Sequence, residues 1–234
     1  MRRTLTIISV IFILGGVFPA AAFCLDAESI SGEVARLGRE APTLAAFPDT
    51  AGVLWMNSDS YSLTGEGGKK HDNTFVMLLG DASAGGGASS RRMPYPRGDG
   101  AALEITEAAF YDPSSGARLG DLPRREYDIG GIKGVEVAFP EDAEGFAVVI
   151  AYTETVPGDY YLDDVIFLAG ELPAWEQTVT VEVPDGMKIY WDGEGIGTPE
   201  SVKNGRIERT TWTVLNEPEW RNAGMIDSGR PILA

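Results

Sequence analysis

The sequence predicts an all-β protein, an antiparallel two-sheet β-sandwich entered through one short helix. Three observations lead there. Strand-like runs with side chains alternating between apolar and polar recur at short spacing. Turn signals rich in glycine, proline and aspartate separate them, as in Pro157-Gly158-Asp159 and Pro184-Asp185-Gly186. Helical periodicity is confined to one stretch near the start. About nine strands follow from this pattern. A closed barrel is the alternative architecture.

Taken in order, residues 1–22 read as a secretory signal peptide. Arg2 and Arg3 give a basic start, Leu5 to Phe18 is almost wholly apolar, and Ala20-Ala21-Ala22 supplies small residues for cleavage. The expected location is periplasmic or extracellular, with membrane contact only through this transient segment. Residues 23–48 form the helix and a linker. Ile30, Val34 and Leu37 recur at i, i+4 and i+7 from an Asp26 start, Gly32 weakens the run, and Pro42 ends it. Residues 49–220 form the β-sandwich domain, and 221–234 a surface tail.

Within the domain, 52–63 reads as a strand with Val53, Trp55, Tyr61 and Leu63 on one face and polar Asn57 and Asp59 among them. The Thr64–Lys69 loop turns it into a return strand over 71–80, with Phe75, Met77 and Leu79 sharing a side. Residues 81–100 read as a long loop. Strands follow at Leu103–Tyr111, within Tyr127–Phe139, from Phe146 to Tyr152, up to Val183, and over Gly205–Leu215. Trp175 shares the inward face of its strand with Val179, Val181 and Val183. Glu176, Thr178, Thr180 and Glu182 form its wet face.

Charge excludes one class of partner. The chain carries 19 basic and 35 acidic side chains, a formal net charge of −16. Loss of residues 1–22 removes two arginines and no acid. Such a surface repels nucleic-acid phosphates and favours solubility.

No catalytic set emerges. The sole cysteine, Cys24, lies at the cleavage region, and Phe23 before it is bulky for lipid attachment, which argues against anchoring there. The sole histidine, His71, borders the hairpin loop and reads as an exposed turn residue, and no Gly-x-Ser-x-Gly elbow is present. The expected cofactors and metals are none. Glu141-Asp142 with Glu144, and Asp163-Asp164, lack the spacing of a calcium loop and read as a charged turn and a polar break. Arg97-Gly98-Asp99 spells an adhesion tripeptide that chance supplies readily. Aromatic side chains outside the core remain as docking residues: Trp220, beyond the last strand after Glu217-Pro218-Glu219, and Trp191.

The order of features resembles the uncharacterised β-sandwich domain that precedes transglutaminase-like domains in exported bacterial proteins. The residues carrying the resemblance are Arg92-Met93-Pro94-Tyr95, Leu103 to Tyr111 and the turn Asp112 to Gly116. Phe139-Pro140, Gly145 to Tyr152 and Tyr160 to Leu168 continue it, followed by Trp175-Glu176, Val183 to Gly186 and Thr211-Trp212-Thr213. It extends over roughly Ala46 to Trp220. The resemblance implies an immunoglobulin-like sandwich and a transglutaminase-like companion bearing a Cys-His-Asp site. This sequence offers no cysteine and histidine that could form such a triad, so the implied chemistry is expected on another chain or is lost. The expected role is a non-enzymatic binding or accessory module. A carbohydrate- or peptide-binding domain of the envelope is the alternative, and a carboxylate-dependent hydrolase a third reading.

Overall fold

A computed structural model describes residues 27–48, 50–64, 67–80, 89–140, 143–158, 166–167, 172–187, 189–191, 193–194, 197–217 and 232–233. The protein is all-β with one short N-terminal helix. Helix α1 (Ala27–Glu40) is followed by β1 (Gly52–Thr64), β2 (Gly68–Leu79), β3 (Ser90–Pro94), β4 (Ala102–Tyr111), β5 (Arg118–Asp121), β6 (Arg124–Ile129) and β7 (Ile132–Ala138). Then come β8 (Ala147–Pro157), β9 (Ile166–Phe167), β10 (Ala174–Pro184), β11 (Gly193–Glu194), β12 (Glu200–Asn204), β13 (Ile207–Glu217) and β14 (Ile232–Leu233).

Eight strands form one sheet in the order β12-β13-β10-β1-β2-β8-β4-β5, and β3-β7-β6 form a second. A small third sheet runs β11-β14-β9, so Ile232–Leu233, within the expected surface tail, is paired. The long sheet is not purely antiparallel. β1 and β10 run parallel from Leu54↔Ala174 to Ser62↔Glu182. Strand period cannot reveal pairing direction, because alternation is the same either way.

Each face of the long sheet is covered over part of its length. Ile30, Val34 and Leu37 of α1, all nearly inaccessible, pack on Val53, Trp55, Val76, Leu78, Val149 and Tyr111. The helix comes close because two glycines permit it. A Cβ on Gly38 would sit 1.8 Å from the Pro113 carbonyl oxygen, and one on Gly116 (φ +71) 2.0 Å from that of Ser31. Trp55 donates its indole N–H to the Pro42 carbonyl at 2.9 Å, tying the helix exit to β1. The opposite face is covered by the second sheet. Met93, Val137 and Phe139 pack there on Phe75, Met77, Val148, Ile150 and Tyr152.

Trp175 differs from expectation. It is half-buried and packs against the helix-side cluster, whereas Val179 and Val181 pack on the other side with Tyr61 and Trp212. β1 carries a register irregularity between Leu54 and Met56, directly alongside, and such a bulge shifts which residues face which way. The expected wet face of β10 is partly closed too. Thr180 is 2% exposed and bonds Thr211 at 3.3 Å, hydroxyl to hydroxyl. The single strand expected within Tyr127–Phe139 is the β6–β7 hairpin, turned by Gly130 and Gly131 with φ of +61 and +84.

Candidate functional site

The sole histidine is not an exposed turn residue. His71 lies inside β2 and is 8% exposed. Its Cα partners are Tyr61 on β1 and Glu154 on β8, so these three side chains project from one row of the sheet. One step along, Asp59, Asn73 and Tyr152 make the next row. Both rows lie on the face covered by the second sheet.

Within this patch polar groups are paired closely. His71 Nε2 lies 2.8 Å from Asp59 Oδ1, and Nδ1 3.2 Å from Glu154 Oε2. Asn73 Nδ2 donates to the same Asp59 oxygen at 2.9 Å and to Asn57 Oδ1 at 3.0 Å. Asn57 Nδ2 donates to Asp59 Oδ2 at 2.7 Å. The imidazole stacks on Tyr61 with centroids 4.3 Å apart and planes 2° from parallel, and Tyr152 meets its edge at 5.7 Å.

Burial pushes the imidazole toward its neutral form, but the hydrogen bonds and charges of Asp59 and Glu154 together outweigh it. Its pKa is raised to about 9. At neutral pH His71 is therefore a cation donating from both ring nitrogens. A ring in that state has no lone pair with which to accept a proton, so it is no general base. Burial, chiefly, also raises the nearby Tyr152 phenol to about 12. In the sequence Asn57 and Asp59 are polar intruders on an apolar face, and nothing local to them points to His71. The available signal was the hairpin register, which sets Tyr61 opposite His71 and Asp59 opposite Asn73.

At the far end of the same face, Trp212 is 2% exposed and Trp191 meets it edge-on at 5.5 Å. Trp191 itself is 40% exposed and its neighbour Tyr190 is 85% exposed. The Trp212 Nε1 and Asn73 Oδ1 atoms are buried without a hydrogen-bond partner. Trp220, Cys24, residues 1–22, Glu141, Asp142, Asp163 and Asp164 lie outside the described residues, and Glu144 is exposed. Among the described residues no group of three or more His, Cys, Asp or Glu side chains could hold a metal ion. No helix among them is long and apolar enough to cross a membrane.

A second charged centre joins the two smaller-sheet edges. Glu136 on β7 is 3% exposed and receives Arg92 at 2.9 Å, Ser90 at 2.8 Å and Arg125. Arg125, above all, holds its carboxyl at about 2. This is an ion cluster that fixes β3 and β6 to β7.

Comparison with known proteins shows a likeness of fold alone. No family model matches the chain, and no curated protein does. A crystal structure described as a "putative protease" from Parabacteroides distasonis superposes with a TM-score of 0.66 at 16% identity, over 78% of this chain and 39% of that one. At that identity the likeness is one of fold. An M1 zinc metallopeptidase from Deinococcus radiodurans matches at a TM-score of 0.38 and 14% identity, over 78% of this chain and 41% of that one. A leukotriene A4 hydrolase from Saccharomyces cerevisiae matches at 0.36 and 10%, over 79% of this chain and 29% of that one. The chain thus spans well under half the length of each.

Proposed function

We propose that this chain is an exported, non-catalytic binding module, an immunoglobulin-like two-sheet sandwich that works beside a catalytic unit of transglutaminase-like or peptidase type. The observation that carries this is the state of His71. The one histidine of the sequence has both ring nitrogens committed to carboxylates, so hydrolytic chemistry of a Cys-His or Ser-His kind has no base to draw on. The packing of the second sheet on the long one supports the sandwich reading. The likeness to part of a longer "putative protease" supports a role alongside a catalytic unit.

Affinity capture from a cell-envelope fraction tests this. Recovery of a protein with a transglutaminase-like or peptidase catalytic site supports the reading, and the bound fraction should resist a 0.5 M salt wash (roughly, a Debye length of a few Å) if the contact is apolar. Recovery of nothing above a bead control overturns it.

The exposure of Tyr190 and Trp191 favours a second reading, a glycan- or peptide-binding surface. Rings presented to solvent stack on sugars and on extended chains. Quenching or shift of tryptophan fluorescence on titration with oligosaccharides or peptides, lost in Trp191→Ala, is the expected result. A flat response to ligand at about 1 mM, a weak-binding concentration, removes it. The hydrolase reading meets a physical objection, because Asp59 and Glu154 face one another across a histidine that fills the space a substrate would need.

A further inference from the structure

The sheets end in edges, and an open edge is a row of main-chain donors and acceptors ready to pair with another strand. Among the described residues β5 and β12 bound the long sheet, and β6 lies at one end of the second. β5 is spoiled by a register irregularity against Phe110 and Tyr111. β6 is straight but cannot pair with its own copy without conflict. Its two-residue turn closes on Ile129–Ile132, so Arg124, Glu126 and Asp128 point their main-chain groups outward. Antiparallel self-pairing of those positions sets Glu126 against Glu126, Arg125 against Arg125, or Glu126 against Asp128.

β12 has no such conflict. The turn at Gly205 (φ +63) and Arg206 closes on the Asn204–Ile207 pair. Asn204, Val202 and Glu200 therefore spend their main-chain groups on β13, and Ser201 and Lys203 present theirs outward. All five residues are exposed, with Val202 at 61%. Laid antiparallel on a second copy about a twofold axis through Val202, the strand pairs Ser201 with Lys203 twice, Val202 with Val202, and Glu200 with Asn204. No like charges meet. The Lys203 ammonium is already drawn aside onto Asp185 at 2.7 Å and Glu208 at 3.6 Å. Ile207, 41% exposed and on the same face as Val202, flanks the apolar centre on each side. Pro199 precedes the strand and limits the contact to its length.

We infer that β12 is a self-association edge and that its occupant is a second copy of this chain, joining two long sheets edge to edge in an isologous dimer. The contact is short. An interface below about 1,200 Å² is typical of weak, reversible association, so the dimer forms with a Kd on the order of 0.1 mM.

Sedimentation equilibrium of the purified chain tests this without any other partner. The weight-average mass should rise from the monomer value toward twofold between about 10 μM and about 1 mM, the range around that Kd. Val202→Lys, which sets two cations face to face, should remain monomeric throughout. Ser201→Pro removes an outward N–H without touching the β13 ladder and should do the same, with far-UV circular dichroism unchanged in both. A wild-type mass that stays monomeric at about 1 mM overturns the inference. So does association that persists undiminished in both folded variants. Because the chain is tested alone, either outcome stands apart from the envelope capture experiment.

Discussion

Replacing His71 by Gln should change how stability depends on pH, and in a predictable direction. In the folded protein the imidazole titrates at about 9, against about 6.5 in an unfolded chain. A pKa raised on folding means that the folded state holds a proton which the unfolded state has released. The resulting stabilisation is complete below pH 6.5 and is lost as pH climbs through about 9. Between these limits each pH unit costs about 1.4 kcal/mol, so the window contributes about 3 kcal/mol. Gln keeps a donor toward Asp59 but has no charge and no titration. Urea unfolding at pH 6, 7.5 and 9 should therefore show wild-type stability falling by about 3 kcal/mol while the variant stays nearly level across that interval. The variant should be weaker than wild type at pH 6 by at least that amount, because Asp59, 7% exposed, would then be a buried carboxylate with no cation. Parallel pH profiles for the two proteins would refute the clamped-imidazolium account, as would a wild-type profile that rises over this range.

Three further outcomes follow from packing and exposure. Leu37→Ala, at a fully buried position where α1 meets the long sheet, should cost about 2–4 kcal/mol in denaturant unfolding. Gly116→Ala should cost upward of about 2 kcal/mol, because the residue sits at positive φ and its new methyl would strike the Ser31 carbonyl; the loss should appear as a lowered Tm. Trp191→Ala should leave stability within about 1 kcal/mol of wild type, since the ring is substantially exposed. The same variant should abolish any ligand-dependent fluorescence change.

The sequence carried the local structure well where one face of an element is buried. The i, i+4, i+7 run of Ile30, Val34 and Leu37 is the helix stripe that meets the sheet, and the Phe75, Met77, Leu79 face is the one that meets the second sheet. It carried less wherever a partner strand decides the outcome. His71 stands next to a glycine-rich loop, which suggests exposure. The register then places it between two neighbouring strands whose side chains enclose it. Parity alone puts Trp175 on the face of Val179, yet it packs on the helix-side cluster, alongside the register irregularity of β1. β6 is short and its residues are mostly exposed, so it has little apolar alternation to find. The Gly130-Gly131 turn was its clearest trace. The proposed docking aromatics divide in the same manner. Trp191 is exposed at the edge of a small cluster, and Trp220 lies outside the described residues.

The parallel junction of β1 with β10 gives the long sheet a seam. On one side, β10, β13 and β12 come from one contiguous piece of chain, with a tight turn at Gly205 and Arg206 joining β12 to β13. On the other, β1, β2, β8, β4 and β5 form a separate antiparallel block. Their meeting joins residues about 120 positions apart, Leu54 with Ala174, and closing so long a loop is entropically late. This topology predicts two cooperative units that meet along one strand pair. Native-state hydrogen exchange should find the amides of β10 and β13 opening together at a lower free energy than those of β2 and β8. The half that bears Trp212 and the β12 edge could then loosen while the half that bears the helix stays folded.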